Sequence, residues 1–94
     1  MSNNKGRYGD EQFYYEIAEN LGTISTTGSG WSKEVNLVSW RGAQPKLDIR
    51  EWSEDHEKMS RGLTLTTAEA VKLTLILQDF YKEELQEYAK AGEE

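Results

Sequence analysis

The sequence predicts a single α+β domain in which four antiparallel strands precede one long C-terminal helix. Segments rich in aromatic and β-branched residues, separated by turn-forming residues, occupy residues 13–65. A helix-capping signal followed by good helix formers occupies residues 66–90. The chain has 94 residues, which is enough for one small core and too few for a second. We therefore expect one domain over residues 12–90, with a flexible tail at 1–11 and a short one at 91–94.

Composition narrows the class of protein. The chain contains no cysteine, which excludes a disulfide framework, a thiolate zinc site and a cysteine nucleophile. Its longest apolar runs are three residues, whereas a transmembrane helix needs about 20. A secretory signal needs an apolar region of about 7–15 residues. The simplest expectation is a cytoplasmic protein, with association with the nucleoid as an option, and no membrane partner.

The first predicted strand covers residues 13–25 and is unusually long. Its middle, from Glu19 to Gly22, breaks the alternation of apolar and polar residues, which indicates a bulge or a sharp bend. A glycine-rich turn follows at residues 26–30 and leads into the second strand, residues 31–40.

Two further strands and a charged loop follow. Residues 41–45 form a loop whose proline stands at the entrance of the third strand, residues 46–52, where its missing N–H does little harm. Residues 53–61 carry mixed charges and read as a loop. Leu63 to Leu65 form a short fourth strand.

The helix begins with a capping box, in which Thr66 is the N-cap and Glu69 stands three residues later. One apolar arc of the helix gathers Ala70, Leu73, Ile76, Leu77, Phe80, Tyr81 and Tyr88. A second patch, Val71 and Leu75, lies off this arc, and an ordinary surface helix has one apolar face. We expect a partner helix in a homodimer, with an interface built from Val71, Leu73, Leu75, Leu77 and Phe80. The alternative is that the first strand or the tail covers the second patch.

Alternation along the strands divides the side chains between two faces of the sheet. One face, expected to lie under the helix as the core, carries Val35, Leu37, Leu47 and Ile49. The opposite, open face would carry Glu34, Asn36, Val38, Trp40, Lys46, Asp48, Arg50 and Trp52, with Lys33 and Arg41 near its ends.

Aromatic rings interleaved with cations suit a single-stranded nucleic acid, because bases stack on rings and cations track phosphates. In this interpretation Trp40 and Trp52 stack on bases, while Lys33, Lys46 and Arg50 hold phosphates. Asn36 is the main candidate for reading a base edge, and Arg41, Lys58 and Arg61 make outer contacts. Asp48 is placed to orient Arg50. The net charge is −6, yet six of the eleven basic residues fall within residues 31–62. The alternative is that the tryptophans belong to the core and the charges to a solvated face.

Two motifs carry a family resemblance. The segment Asp48-Ile49-Arg50-Glu51-Trp52, followed by residues 59–66 with Arg61-Gly62, resembles the transcriptional positive cofactor four (p15 coactivator) family. Residues 31–40 and 55–59 are more similar to its bacterial YdbC branch. The resemblance covers about residues 12–82.

The resemblance implies a curved four-stranded sheet with a C-terminal helix. It also implies a homodimer formed by the helices and fourth strands, single-stranded DNA binding, and no catalysis. By position, Arg50 matches the family's DNA-contacting arginine, Trp40 its second-strand aromatic, and Lys46 falls near a basic position. Ser53 departs from the eukaryotic pattern, where a second aromatic follows the one at Trp52.

Catalytic and metal sites have little support in the sequence. His56 lies between Asp55 and Glu57, but it is the only histidine, and a solvated loop histidine is the favoured interpretation. Residues 28–30 lack the lysine and helix of a phosphate loop. We expect no enzyme, no cofactor, no metal and no small-molecule substrate.

Two functions from different classes remain. The first is sequence-tolerant binding of single-stranded DNA, or RNA, by a homodimer that acts in transcription or in DNA repair or replication. The second is a protein-interaction domain whose open sheet face binds a peptide or a polymerase surface. Salt dependence separates the two, because binding to phosphates falls steeply with salt.

Overall fold

The structure is a computed structural model that describes residues 5–7 and 14–92. Five strands form one sheet in chain order, each antiparallel to the next. They are β1 (Lys5–Arg7), β2 (Tyr14–Thr26), β3 (Ser32–Trp40), β4 (Lys46–Trp52) and β5 (Leu63–Leu65), followed by the helices α1 (Thr67–Phe80) and α2 (Lys82–Gly92). No helix in the described ranges combines the length and the apolar character that crossing a membrane requires.

The α+β class and the order of elements are confirmed, and the four predicted strands agree with β2–β5 to within one residue. The sheet has one strand more than predicted, because Lys5–Arg7 pairs with residues 14–16 of β2. This strand lies within the segment predicted as a tail, and the rest of that segment falls outside the described residues. At the other end, α2 extends to Gly92, two residues past the predicted end of the helix.

Strand β2 is irregular where the sequence predicts a bend. Its pairing with β3 shifts between Ile17 and Glu19, between Asn20 and Gly22, and again between Thr23 and Ser25. Each shift inserts an extra residue on the β2 side, and such bulges bend a strand and increase its twist.

The sheet is strongly curled. Tyr15 pairs with Trp40 at one end of β3, and Trp52 pairs with Ser32 at the other. Eight residues of flat strand span about 26 Å, yet the rings of Tyr15 and Trp52 have centroids only 5.2 Å apart. The curvature therefore brings the two ends of the sheet together over one concave face.

The core lies on this concave face. Tyr15, Val38 and Trp52 are fully buried, and Ile17, Trp40 and Met59 pack against them. The alternation predicted for β3 and β4 is confirmed, but the expectation that this face is open is wrong. The curl and the loop of residues 53–62 cover it: Trp52 bridges to Met59, and the Tyr15 hydroxyl donates to the carbonyl of His56.

The helix covers less of the sheet than predicted. Its capping box is present, since Glu69 N donates to Thr66 Oγ1 and Thr66 N donates to Glu69 Oε1. The predicted single helix is interrupted at Tyr81, whose N–H still bonds to Leu77. Of the five strands, α1 contacts only β4 and β5, and neither α1 nor α2 has a buried residue.

The predicted core under the helix is consequently incomplete. Val35, Leu37, Leu47 and Ile49 are only half-buried, because neither α1 nor α2 lies over β3. The convex face of the sheet thus retains apolar surface that residues 14–92 leave partly open.

We expect Trp52→Ala to lower the free energy of unfolding by about 3–5 kcal/mol, because it empties a fully buried site between Tyr15 and Met59. Urea unfolding followed by circular dichroism measures this loss. Ile24→Ala is the matched control, since Ile24 is exposed on β2. Equal stability of the two variants would contradict the assignment of the core to the concave face.

Candidate nucleic-acid interface

Three of the predicted binding residues line one open groove beside the β3–β4 hairpin. Trp40, Lys46 and Arg50 surround a volume of about 380 Å³, together with Ala43, Gln44 and Thr64. The strands bring them together because Lys46 pairs with Val38 on the concave side, two residues from Trp40. We call this the hairpin groove. Thr64 is a member that sequence reasoning missed, since a single threonine in a three-residue strand carries no signal.

The tight turn at Arg41 and Gly42 sets the position of the groove. Both residues have positive φ, 55° at Arg41 and 76° at Gly42. A side chain at position 42 would also approach the Tyr14 hydroxyl to 2.9 Å. Glycine satisfies both constraints, and the turn then places Trp40 and Lys46 on either side of the groove.

Arg50 is held by a buried carboxylate. Its Nε donates to Asp48 Oδ1 at 2.6 Å and its Nη2 to Asp48 Oδ2 at 2.8 Å, a two-point pair. Asp48 has no exposed surface and accepts a third hydrogen bond, from Thr64 Oγ1 at 2.8 Å. The predicted placement of Asp48 as the residue that orients Arg50 agrees with this geometry.

Trp40 forms a wall of the groove and is itself half-buried. The guanidinium carbon of Arg50 lies 4.7 Å from the centroid of its ring, and the Tyr15 ring lies 5.8 Å away on the core side. The expectation that Trp40 lies wholly outside the core is therefore wrong, because it packs against the buried cluster while it lines the groove.

Three predicted ligand residues lie elsewhere. Trp52 is fully buried and so presents no face on which a base could stack. Asn36 is also fully buried, where it accepts from Asn20 Nδ2 at 2.6 Å and donates to Glu34 at 3.1 Å, so it cannot read a base edge. Lys33 is exposed on the opposite face of the sheet, in register with Glu51.

The remaining predicted cations, Arg41, Lys58 and Arg61, are exposed in turns and loops. Lys58 lines a second groove of about 570 Å³, with Trp31, Ser29, Ser53, Glu54 and Asp55. Trp31 was not among the predicted site residues, although an indole directly after a glycine-rich turn is a signal that could have identified it.

A hydrogen-bonded cluster lies deeper on the concave face. Glu34 is buried and accepts from Ser32 Oγ at 2.5 Å and Asn36 Nδ2 at 3.1 Å, and His56 Nε2 lies 3.0 Å from it. Burial alone would raise the pKa of Glu34, but the hydrogen bonds from Ser32, Asn36 and His56 outweigh it and hold that pKa below the usual 4.5.

His56 is not the solvated loop histidine that the sequence predicts. Its contact with Glu34 and its tilted ring contact with Trp52, whose ring centroid lies 5.7 Å away, attach the loop of residues 53–62 to the concave face. Within residues 14–92, no three histidine, aspartate or glutamate side chains are grouped so that they could hold a metal ion.

Comparison with known proteins gives two findings. A family model described as "Transcriptional Coactivator p15 (PC4)" matches residues 28–76, which include β3, β4, β5, the start of α1 and every residue of the hairpin groove. An uncharacterized protein of Treponema pallidum (strain Nichols) is 47% identical over 77 residues, which cover 82% of this chain and 91% of the relative.

We expect acid to destabilise the protein partly through Glu34. Because its folded-state pKa lies below the usual 4.5, its contribution is present above that value and is lost as the pH falls through the lower, folded pKa. The melting temperature of the unmodified protein should therefore fall more steeply than that of Glu34→Gln between about pH 5 and pH 3. Glu83→Gln, in the exposed first turn of α2, is the control, and parallel profiles for all three proteins would refute the idea.

Proposed function

The chain belongs to the transcriptional coactivator p15 (PC4) family, and on that basis we propose that it binds single-stranded DNA as a homodimer, with little preference for base sequence. The process served would be transcription, or DNA repair or replication. The bacterial YdbC branch remains our prediction for its place in the family, and the cytoplasm, including the nucleoid, for its location.

The hairpin groove is the observation that carries this proposal. It presents the ring of Trp40 and the ammonium group of Lys46 to one open space. Stacking on an aromatic side chain contributes about 1–3 kcal/mol per base and requires an accessible base face. A duplex hides its base faces, so the groove suits a single strand.

The charge distribution also favours the sheet over the helices as the binding surface. Residues 63–94 contain seven acidic and three basic residues, whereas residues 31–62 contain six of each. The phosphates of a nucleic-acid strand would be repelled by the acidic helices and attracted locally by exposed cations such as Lys46. Few groups in the hairpin groove could read base edges, which supports tolerance of sequence.

The homodimer is supported by the apolar surface that one chain leaves exposed. Three apolar side chains are fully buried among the described residues, whereas eleven large ones are exposed, seven of them on α1 and α2 and an eighth, Tyr81, between the two helices. Four of the five predicted interface residues belong to that set: Val71, Leu75, Leu77 and Phe80, with Phe80 73% exposed. Leu73 is half-buried. Contiguous apolar patches of this kind mark association surfaces.

A groove at the junction of α1 and α2 is suited to apolar side chains from a second copy of the chain. It measures about 520 Å³ and is lined mainly by Leu77, Tyr81, Leu85 and Tyr88. A second copy offers aromatic side chains such as Phe80 to fill it. The apolar convex face of β3 and β4 extends the surface that a second chain would cover.

We expect the protein to bind a single strand more tightly than the matched duplex, and to lose affinity as salt rises. Lys46→Gln should lower the slope of log affinity against log salt by about one unit, because it removes one phosphate contact. Lys72→Gln, an equal charge change on exposed α1, should leave the slope unchanged. Fluorescence anisotropy titrations at several salt concentrations measure both slopes.

Equal affinity for duplex and single strand would contradict the proposal. Binding to a protein partner that is insensitive to salt, without binding to DNA, would favour the alternative of a protein-interaction domain. Both functions counted Trp52 as an exposed ring, so its burial does not separate them and the salt dependence does.

We expect a dimer mass by light scattering, and we expect Leu75→Glu to shift the mass toward the monomer. Leu75 is 57% exposed in one chain, so the variant should fold, but a charge there would be buried without a partner in the dimer. Thr26→Glu is the control, because Thr26 is exposed on β2, which contacts neither helix. A monomer mass for the unmodified protein at all concentrations would exclude the homodimer.

A further inference from the structure

We propose that Arg50 is a positioning residue that fixes Trp40 at the wall of the hairpin groove, and that it is not a phosphate ligand. The inference rests on the proposed function and reassigns the role predicted for Arg50 from the sequence. Lys46 then remains as the phosphate-binding cation of the groove.

The hydrogen bonds of Arg50 leave its guanidinium little capacity for a ligand. Nε and Nη2 are taken by Asp48, and Nη1 donates to Ser60 O at 3.2 Å and contacts Met59 Sδ at 3.3 Å. Nη2 also reaches Thr64 Oγ1 at 3.5 Å. Arginine binds phosphate best through two parallel N–H bonds, and that fork is already occupied by a carboxylate.

The packing around Arg50 fixes the side chain in place. One contact is the Trp40 ring, and another is the backbone of Gly62. A Cβ at position 62 would lie 2.4 Å from Arg50 Cβ, 2.6 Å from Arg50 Nε and 2.6 Å from the Ile49 carbonyl oxygen. Glycine at 62 thus allows the backbone just before β5 to pack directly against Arg50. The Arg50 side chain is 12% exposed, which leaves little of its guanidinium accessible to a phosphate.

The charge of Arg50 is balanced where it stands. Asp48 is fully buried and lies within 2.6 Å of Arg50 Nε, so the pair adds no net charge to the groove. Lys46 is exposed, and no carboxylate of the described residues lies within ion-pair distance of it. Release of counterions by a bound strand would therefore come from Lys46 and not from Arg50.

The decisive variant replaces the ion pair without changing net charge: Asp48→Asn combined with Arg50→Gln. Its affinity for an oligothymidine strand is titrated over a series of salt concentrations, beside the unmodified protein and Lys46→Gln. If Arg50 is a positioning residue, the slope of log affinity against log salt stays that of the unmodified protein. A phosphate ligand at Arg50 would instead lose about one unit of slope, as Lys46→Gln should.

Arg50→Lys provides the second measurement and is the milder change. It keeps the charge but loses the flat fork that contacts Asp48 and Trp40. We expect the indole N–H signal of Trp40 to move in the NMR spectrum of the free protein, and affinity to fall about tenfold or more as a stack is lost. Lys46→Gln should leave that signal in place.

The outcomes distinguish a failure of the role assigned to Arg50 from a failure of the proposed single-strand binding. A loss of about one unit of slope in the charge-balanced variant, or Arg50→Lys that binds as tightly as the unmodified protein with an unmoved Trp40 signal, would overturn this inference alone. Failure of the unmodified protein to bind the strand would overturn the proposed function as well. If the double variant melts below the assay temperature, the Arg50→Lys result decides.

Discussion

The curl of the sheet is the constraint on which the rest of the structure depends. Three register shifts in β2 bend the sheet until Tyr15 and Trp52, which stand at opposite ends of it, pack against each other. The helices lie off most of the sheet, since α1 contacts β4 and β5 but none of β1, β2 and β3. The sheet therefore encloses the core by curling over its own concave face, and the hairpin groove lies at the edge of that core.

The concave face buries polar side chains as well as apolar ones. Glu34, Asn36 and Asp48 stand on alternate positions of two paired strands and have almost no exposed surface. Each has partners: His56 and Ser32 for Glu34, Asn20 for Asn36, and Arg50 with Thr64 for Asp48. Removing one member would leave a buried polar group unsatisfied, so these contacts constrain one arrangement of strands and loop. The position of Arg50 over Trp40 depends on this network.

Sequence reasoning succeeded where the governing pattern is local. The alternation of β3 and β4, the break in β2 and the capping box at Thr66 and Glu69 each depend on a few neighbouring residues, and all are present. The prediction of which sheet face is buried was wrong, because burial depends on the curl of the sheet and on the position of the loop of residues 53–62. Trp52 and Asn36 were assigned to an open surface for this reason. The grouping of Trp40, Lys46 and Arg50 and the placement of Asp48 beside Arg50 were predictable from alternation. The full burial of Asp48 and its two-point contact with Arg50 were not, because they depend on the curl of the sheet.

The two edges of the sheet have a consequence for how chains can associate. Strands β1 and β5 are three residues long, and β1 pairs only with residues 14–16 of the 13-residue β2. The rest of β2 pairs with β3 on one side and with no strand of the described residues on the other. The three register shifts bend and twist this open edge, which makes it a poor template for adding strands one after another. Growth into open-ended filaments through the sheet is thereby disfavoured. The apolar helices, in contrast, offer a surface that a single second chain can cover, so assembly through them would end at a closed, finite particle.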